Sequence, residues 1–309
     1  MITFLSSPKP FKGKAKEQQY NAIMSWQGAS SNVQVILYGD SEGIDQAGSE
    51  LGVQVIKNIA CAPSGIPYFS SIVAHAQEHA RYDFQVYING DILLSGILPT
   101  LACIAFPRFL LIGQRIDLSE NVFVNLMDSD WIFQLAQVVR QGKAKLHSPS
   151  GTDYFAFRRG LWQNVPPIII GRAGYDNALL AYCMRQNVPI VDGTFSVTAL
   201  HQFHDYNHVQ GGHKFVMNGP EAKHNYSFAG GKRSSLHVSD AGYLVKNGVV
   251  MEWPCRGDRL RRFELELRHV AGWSKTALLL RALWRGLELL AVIHEYPLSI
   301  DEVLGVLQS

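Results

Sequence analysis

The sequence predicts an α/β fold: a mostly parallel sheet flanked by helices, followed by a C-terminal helical tail. Short β-rich runs alternate with segments of helical periodicity through the first half, the pattern of strands joined by covering helices. The chain has 309 residues, 47% hydrophobic and 17% charged, enough apolar surface for a large core and too much for disorder. A Leu- and Ala-rich stretch near the end carries Arg281, Arg285 and Glu288 at spacings of four and three, on one face of an amphipathic helix.

The elements follow in order. Strands are expected over 2–7, 33–40 and 53–59, separated by helices over 15–26 and 45–51. A helix over 68–81 precedes the strand FQVYINGDI, and a helix over 97–106 precedes FLLIGQRIDL, read as one further strand. Next come a helix over 128–140, a Gly/Ser/Pro linker, the strand DYFAFRRG, a turn at Pro166-Pro167, a helix over 175–186 and the strand VPIVDG. The Gly-, His- and Asn-rich stretch 204–235 has little periodicity and reads as a long loop or lid. The expected division places the sheet domain in 1–240 and a basic, amphipathic extension in 241–309.

Composition removes several function classes. A formal net charge of +2 lacks the field of a general nucleic-acid binder. Cys61, Cys103, Cys183 and Cys255 are far apart and form no CxxC pair, against a structural zinc site or a disulfide scaffold, so a reducing, cytoplasmic setting is expected. No apolar run reaches the roughly 18 residues of a membrane span, and the N-terminus is too short in its apolar part for a signal peptide. The dinucleotide fingerprint GxGxxG is missing from the first strand-to-helix turn, and no P-loop pattern occurs.

In open sheets of this class ligands sit beyond the carboxyl ends of the strands. Here those ends carry Ser6-Ser7-Pro8, Gly39-Asp40 and Asn89-Gly90-Asp91. A carboxylate at a strand end, reached by a glycine that admits close backbone approach, suits a divalent cation held against a diphosphate. A plain Asn-Gly-Asp turn is the alternative.

The segment VYINGDILLS resembles the D-x-D-type motif of nucleotide-sugar-dependent glycosyltransferases of the GT-A fold, with Asn89 where the first Asp would stand. SWQGASSNVQVILYGDSEG, DYFAFRRGLW, PPIIIGRAGYDNALLAY and LHQFHDYNH follow the order of a bacterial and plant group of these enzymes, over about residues 2–235. The resemblance implies a GT-A-like fold and metal-assisted transfer of a sugar from a nucleotide-diphosphate donor to a glycan or lipid-linked acceptor hydroxyl. It implies Mn2+ or Mg2+ as cofactor and Asp91 as the metal-binding carboxylate. Asp176 matches the acidic residue that removes the acceptor proton in inverting members; in a retaining enzyme it would position a sugar, and otherwise it caps a helix.

A histidine commonly supplies the second metal ligand in such enzymes. His204 is favoured, with His201 as alternate, since alternation along FSVTALHQF sends the two to opposite faces. His208 and His213 read equally well as part of a solvated loop. Ser6, Ser7, Gly39, Asp40, Asn89, Asp91 and Arg158 are expected to contact the donor. An ion pair is the alternative for Arg158; Lys9, Lys12, Lys14 and Lys16 follow the first strand and could reach a diphosphate, although such lysines more often form a solvated face. Trp26, Trp131 and Trp162 suit the core, whereas Trp253 could meet an acceptor. Two other readings share the fold. A sugar nucleotidylyltransferase needs a Gly-rich, Arg-containing loop that SSPKPFKGK does not supply; a silent carbohydrate- or membrane-binding protein would not need both Asp91 and Asp176. Eight basic residues against three acidic ones between Arg256 and Arg285 suit peripheral contact with an anionic membrane, or a helix packed on the domain.

Overall fold

The computed structural model describes residues 1–203, 216–232, 236–253, 263–264, 267, 274–289 and 299–307. Thirteen described strands form two sheets. The larger takes β1 (Ile2–Ser6), β2 (Val33–Tyr38), β3 (Gln54–Ile56), β4 (Phe84–Ile88), β6 (Leu110–Ile112), β9 (Tyr154–Arg158), β10 (Ile190–Asp192), β12 (Tyr243–Lys246) and β13 (Val249–Glu252). Its order is β13-β12-β10-β6-β9-β4-β1-β2-β3. Neighbours run parallel except around β9, antiparallel to both β4 and β6, and at the β12–β13 hairpin. The mixed α/β architecture expected from the alternation is therefore present.

Helices α1 (Gly13–Gln27), α2 (Ile44–Leu51) and α4 (Ile97–Ala102) contribute to the apolar cluster on one face, around Phe4, Trp26, Val86 and Leu111. On the other face α3 (Phe69–His79) and α6 (Tyr175–Arg185) contribute to the cluster around Leu5, Tyr87, Phe155 and Leu179. Adjacent residues of a strand thus enter different cores, as period-two geometry requires of a sheet covered on both faces. Trp26 is fully buried, stacks on Phe4 at 5.7 Å and donates its indole N–H to the Ile92 carbonyl at 2.8 Å, fulfilling its expected core role.

Two runs read as single strands are each broken between sheets. FQVYINGDI supplies β4 and the start of β5 (Ile92–Ser95), while FLLIGQRIDL supplies β6 and β7 (Ile116–Leu118). β5 and β7 join β8 (Ala144–Leu146) and β11 (Thr198–His201) in the smaller sheet, ordered β5-β11-β7-β8. The second break needs Gly113, because a Cβ there would lie 2.3 Å from the Tyr154 hydroxyl. Helix α5 (Trp131–Arg140) packs on the smaller sheet, with Leu135 and Leu118 in one apolar cluster.

The main sheet extends past the expected boundary at residue 240, because YLVKNGVVME folds back as β12 and β13. Lys246 pairs with Val249 across a two-residue loop, and Asn247 (φ 51°) and Gly248 (φ 72°) both take the left-handed backbone that a tight hairpin requires. Within the expected lid, Pro220–Phe228 forms helix α7, with proline at its first turn. The short segment Ile168–Ile170 forms no strand, although Ile169 bridges Tyr68. Helices α8 (Ser274–Leu289) and α9 (Ile300–Leu307) lie in the tail. No helix among the described residues is long and apolar enough to cross a membrane.

Candidate functional site

Three strands of the main sheet run on into the smaller one through short breaks: 89–91 from β4 to β5, 113–115 from β6 to β7, and 193–197 from β10 to β11. These breaks form a seam at the carboxyl edge of the parallel strands. Because β9 is antiparallel, its beginning also reaches this edge and brings Asp153 into the seam. The start of α6 brings Tyr175 and Asp176.

Asn89 lies at the middle. Its Nδ2 donates to Asp153 Oδ1 at 2.6 Å, its backbone N–H donates to the Asp153 carbonyl at 2.9 Å, and its Oδ1 lies 3.2 Å from the Tyr175 hydroxyl. The Arg115 guanidinium bridges two carboxylates, donating from Nη1 to Asp153 at 2.5 Å and from Nε to Asp117 at 2.8 Å. Two imidazoles also face Asp117: His147 Nδ1 at 2.7 Å and His201 Nδ1 at 3.3 Å. Burial alone would raise the Asp117 pKa, but hydrogen bonds from both histidines and the Arg115 charge hold it well below the ordinary carboxylate range.

Asp176 has the opposite electrostatic character. It keeps partial solvent access yet sits deep among protein atoms, and this desolvation raises its pKa to about 7. Backbone N–H groups of Asn177, Thr152 and Asp176 work against the shift, while the Asp153 charge adds to it. One seam therefore holds a firmly ionised carboxylate, Asp117, and one that exchanges its proton near neutrality.

Asp91 lies at the other end of the seam, buried, with its side chain 8% exposed and Oδ2 2.7 Å from the Lys9 ammonium. Gln202 Nε2 donates to the Asp91 carbonyl at 3.1 Å, bringing the end of β11 against it. Among the described residues no group of three His, Cys, Asp or Glu side chains could hold a metal. The donor set still suits a hard cation, since Mg2+ is commonly bound through one or two carboxylates and completed by substrate phosphates. Asp91 supplies one such buried oxygen ligand, and the adjacent ammonium shows that the position accepts positive charge. His201 Nδ1 lies 3.3 Å from Asp117, and His201 pairs in the smaller sheet with Ile92, the residue after Asp91. His204, His208 and His213 lie outside the described residues.

The other expected donor contacts divide. Ser7 and Gly39 meet at the edge, where a Cβ on Gly39 would lie 3.6 Å from Ser7 Oγ. Gly39 turns the chain with φ 107°. Asp40 is exposed and pairs with Lys57 at 2.9 Å. Ser6 is fully buried and donates its hydroxyl to the Ile88 carbonyl at 2.7 Å, so it joins β1 to β4 instead of facing a ligand. Arg158 lies at the opposite edge, paired with Asp83 at 2.9 Å and stacked on Phe84. The antiparallel direction of β9 puts its last residue there. The neighbouring Arg159 donates to the carbonyls of Gln77 and Ala80 at the end of α3. Trp253 packs against an apolar cluster of Phe195, Leu244 and Val303.

Arg115, Asp117, His147 and Asp153 are the seam residues that sequence reasoning missed. In GQRIDL the polar Arg115 and Asp117 alternate with apolar Ile116, a sign that one face of this short run is polar.

No family model matches this chain, and no curated relative matches it. By structure it is similar to glucosyl-3-phosphoglycerate synthase of Mycobacterium tuberculosis solved with Mn2+, UDP and phosphoglyceric acid: 13% identity, 82% of this chain and 87% of that one, TM-score 0.44. It is also similar to a Desulfovibrio desulfuricans protein described as a nucleotide-diphospho-sugar transferase, at 11% identity over 76% of this chain and 98% of that one, TM-score 0.39. A mycobacterial protein matches at 14% identity and TM-score 0.37, and the match spans 65% of each chain, just under two thirds of its length. These distant likenesses concern general architecture.

Proposed function

We propose that the chain is a nucleotide-sugar-dependent glycosyltransferase of the hexosyl type, moving a sugar from a nucleotide-diphosphate donor to a hydroxyl of a glycan or lipid-linked acceptor. The observation that carries the reading is the pairing, at one sheet edge, of a buried cation-accepting carboxylate, Asp91, with a second carboxylate, Asp176, whose pKa is about 7. A group titrating near working pH can take a proton from a hydroxyl and release it again. The donor diphosphate would meet Asp91, Gly39 and Ser7 at the ends of β4, β2 and β1. The acceptor would lie toward Asp176, held by the Asn89–Asp153–Arg115 network. Mn2+ or Mg2+ bound at Asp91 would supply Lewis-acid neutralisation of the diphosphate leaving group. His204 remains the proposed second ligand.

The sheet domain would carry the reaction through the hairpin ending at Glu252, leaving the remainder as the extension. Exposed Leu279 and Leu283, one turn apart on α8, support peripheral attachment of the extension to the inner face of a membrane in a cytoplasmic enzyme.

The test is hydrolysis of a panel of nucleotide sugars, alongside thermal shifts by nucleotide diphosphates with and without Mn2+. The reading predicts a Mn2+-dependent shift that Asp91→Asn removes without altering the melting of the free protein by more than a few degrees. An unchanged shift in that variant would remove Asp91 from the donor site.

A further inference from the structure

Resting on the transferase reading above, we infer that Lys9 is an exchangeable internal counter-cation: its ammonium holds Asp91 when no divalent cation is bound and passes to the donor's diphosphate when one is. The contact is 2.7 Å, between a carboxylate side chain 8% exposed and an ammonium-bearing side chain 33% exposed. A buried carboxylate requires a counter-charge, so the pairing stabilises the ligand-free state. A divalent cation arriving at the same oxygens would be repelled by an ammonium that stayed there.

The surrounding structure fixes the lysine backbone while leaving its side chain partly open to solvent. Buried Gln19 holds Lys9 from both sides, its Oε1 accepting the Lys9 N–H at 2.7 Å and its Nε2 donating to the Lys9 carbonyl at 3.1 Å. Gly90 makes room for this clamp, because a Cβ there would lie 3.0 Å from Gln19 Oε1 and 3.4 Å from Pro8 Cα. On the Asp91 side, Gln202 bridges the Asp91 carbonyl and the Gln18 carbonyl. The four-carbon stem of Lys9 can therefore re-aim its charge without moving either loop. The other lysines of this segment pair elsewhere, Lys12 with Glu42, Lys14 with Glu120 and Lys16 with Glu50, all with more exposed side chains.

A diphosphate beside Asp91 offers the displaced ammonium a new anion. Cation and nucleotide then bind with positive coupling, each removing part of the other's cost. The decisive measurement titrates the full-length protein with Mn2+ alone, reading free Mn2+ by electron paramagnetic resonance. Lys9→Met and Lys9→Gln are expected to bind Mn2+ about tenfold more tightly than wild type, because the internal competitor is gone. Lys9→Arg should stay near wild type, and Asp91→Asn should lose the site. Equal or weaker Mn2+ binding in folded Lys9→Met or Lys9→Gln overturns the inference, with folding read from a cooperative melt, at a lowered midpoint, and an unchanged circular dichroism spectrum. Failure of any nucleotide diphosphate to bind, while the lysine variants still gain Mn2+ affinity, would instead overturn the transferase reading and leave the exchange at Asp91 standing.

Discussion

Arg115 donates to Asp153 at 2.5 Å from a side chain only 17% exposed, and Asp153 in turn accepts from Asn89 at 2.6 Å. The guanidinium thus ties the β6–β7 break to the β4–β5 break across the start of β9. Its second contact, to Asp117, makes it the counter-charge of two partly buried carboxylates. Removing one member of such a group leaves the others uncompensated. Arg115→Met is expected to cost about 3 kcal/mol, read as a lower urea midpoint. Arg115→Lys should recover less than half of that loss, because an ammonium cannot reproduce the planar fork. A loss under about 0.5 kcal/mol for Arg115→Met, the size of an ordinary surface substitution, would contradict the bridging role.

Asp176 makes a pH prediction on two observables. If its ionised form removes the acceptor proton, kcat rises with pH through a midpoint of about 7. Asp176→Asn should lower kcat by roughly a hundredfold or more and flatten that limb, with donor affinity nearly unchanged. Stability has the opposite slope. A carboxyl whose pKa is raised by folding binds more protons in the native state, so its contribution is full at acid pH and is lost as pH rises toward and through about 7. Urea unfolding across that interval should show a falling component that Asp176→Asn removes. Equal losses in kcat and donor affinity would make Asp176 a binding or capping residue.

Residues announced by local sequence lie in the seam, whereas the seam residues assembled by strand direction carry no such local signal. Asp91 and Asn89 stand beside a glycine at the end of an apolar run, and Asp176 follows Gly174 at a helix start, so local grammar alone draws attention to them. Arg158 was misplaced because no residue of DYFAFRRG states that β9 runs against its neighbours. The same reversal carries Asp153 into the site. Ser6 looked like a loop-facing strand end, but β1 is buried along its whole length and its hydroxyl is spent on Ile88. The hairpin at 243–252 is legible in its Asn-Gly pair between apolar runs, although nothing local states that it adds to the main sheet. The His147 and His201 contacts with Asp117 required the register of the smaller sheet, in which Asp117 sits opposite both Lys145 and His201.

The contact between Gly113 and Tyr154 gives a packing prediction at the β6–β7 break. A methyl group on Gly113 would meet the Tyr154 hydroxyl at 2.3 Å and the Thr194 backbone nitrogen at 3.1 Å. That hydroxyl is buried with no hydrogen-bond partner among the described residues. Gly113→Ala should therefore cost about 1–3 kcal/mol through overpacking. Tyr154→Phe should cost little, since it deletes an unsatisfied polar group. Combining them should recover part of the alanine's cost, with a favourable coupling of at least about 0.5 kcal/mol in a double-mutant cycle. Strict additivity in urea unfolding would show that the hydroxyl is not what excludes a side chain at Gly113.

The tail prediction turns on which face of α8 meets water. Ala277 is fully buried and Arg281 half-buried, while Leu279 is 74% and Leu283 54% exposed, with Lys275 exposed on the preceding turn. The expected polar face at Arg281 is thus partly covered, and two leucines one turn apart point outward. Burying an exposed leucine side chain is worth about 1.5–3 kcal/mol, and a basic residue near anionic headgroups adds about 1 kcal/mol. Full-length protein should float with phosphatidylserine-containing vesicles at low salt and release as salt screens the charge. Leu279→Ser with Leu283→Ser should weaken flotation by at least about tenfold, a conservative share of the burial energy of two leucines, and leave nucleotide-sugar hydrolysis unchanged. If wild type ignores such vesicles, or the double variant floats as well as wild type, this face does not bind a membrane.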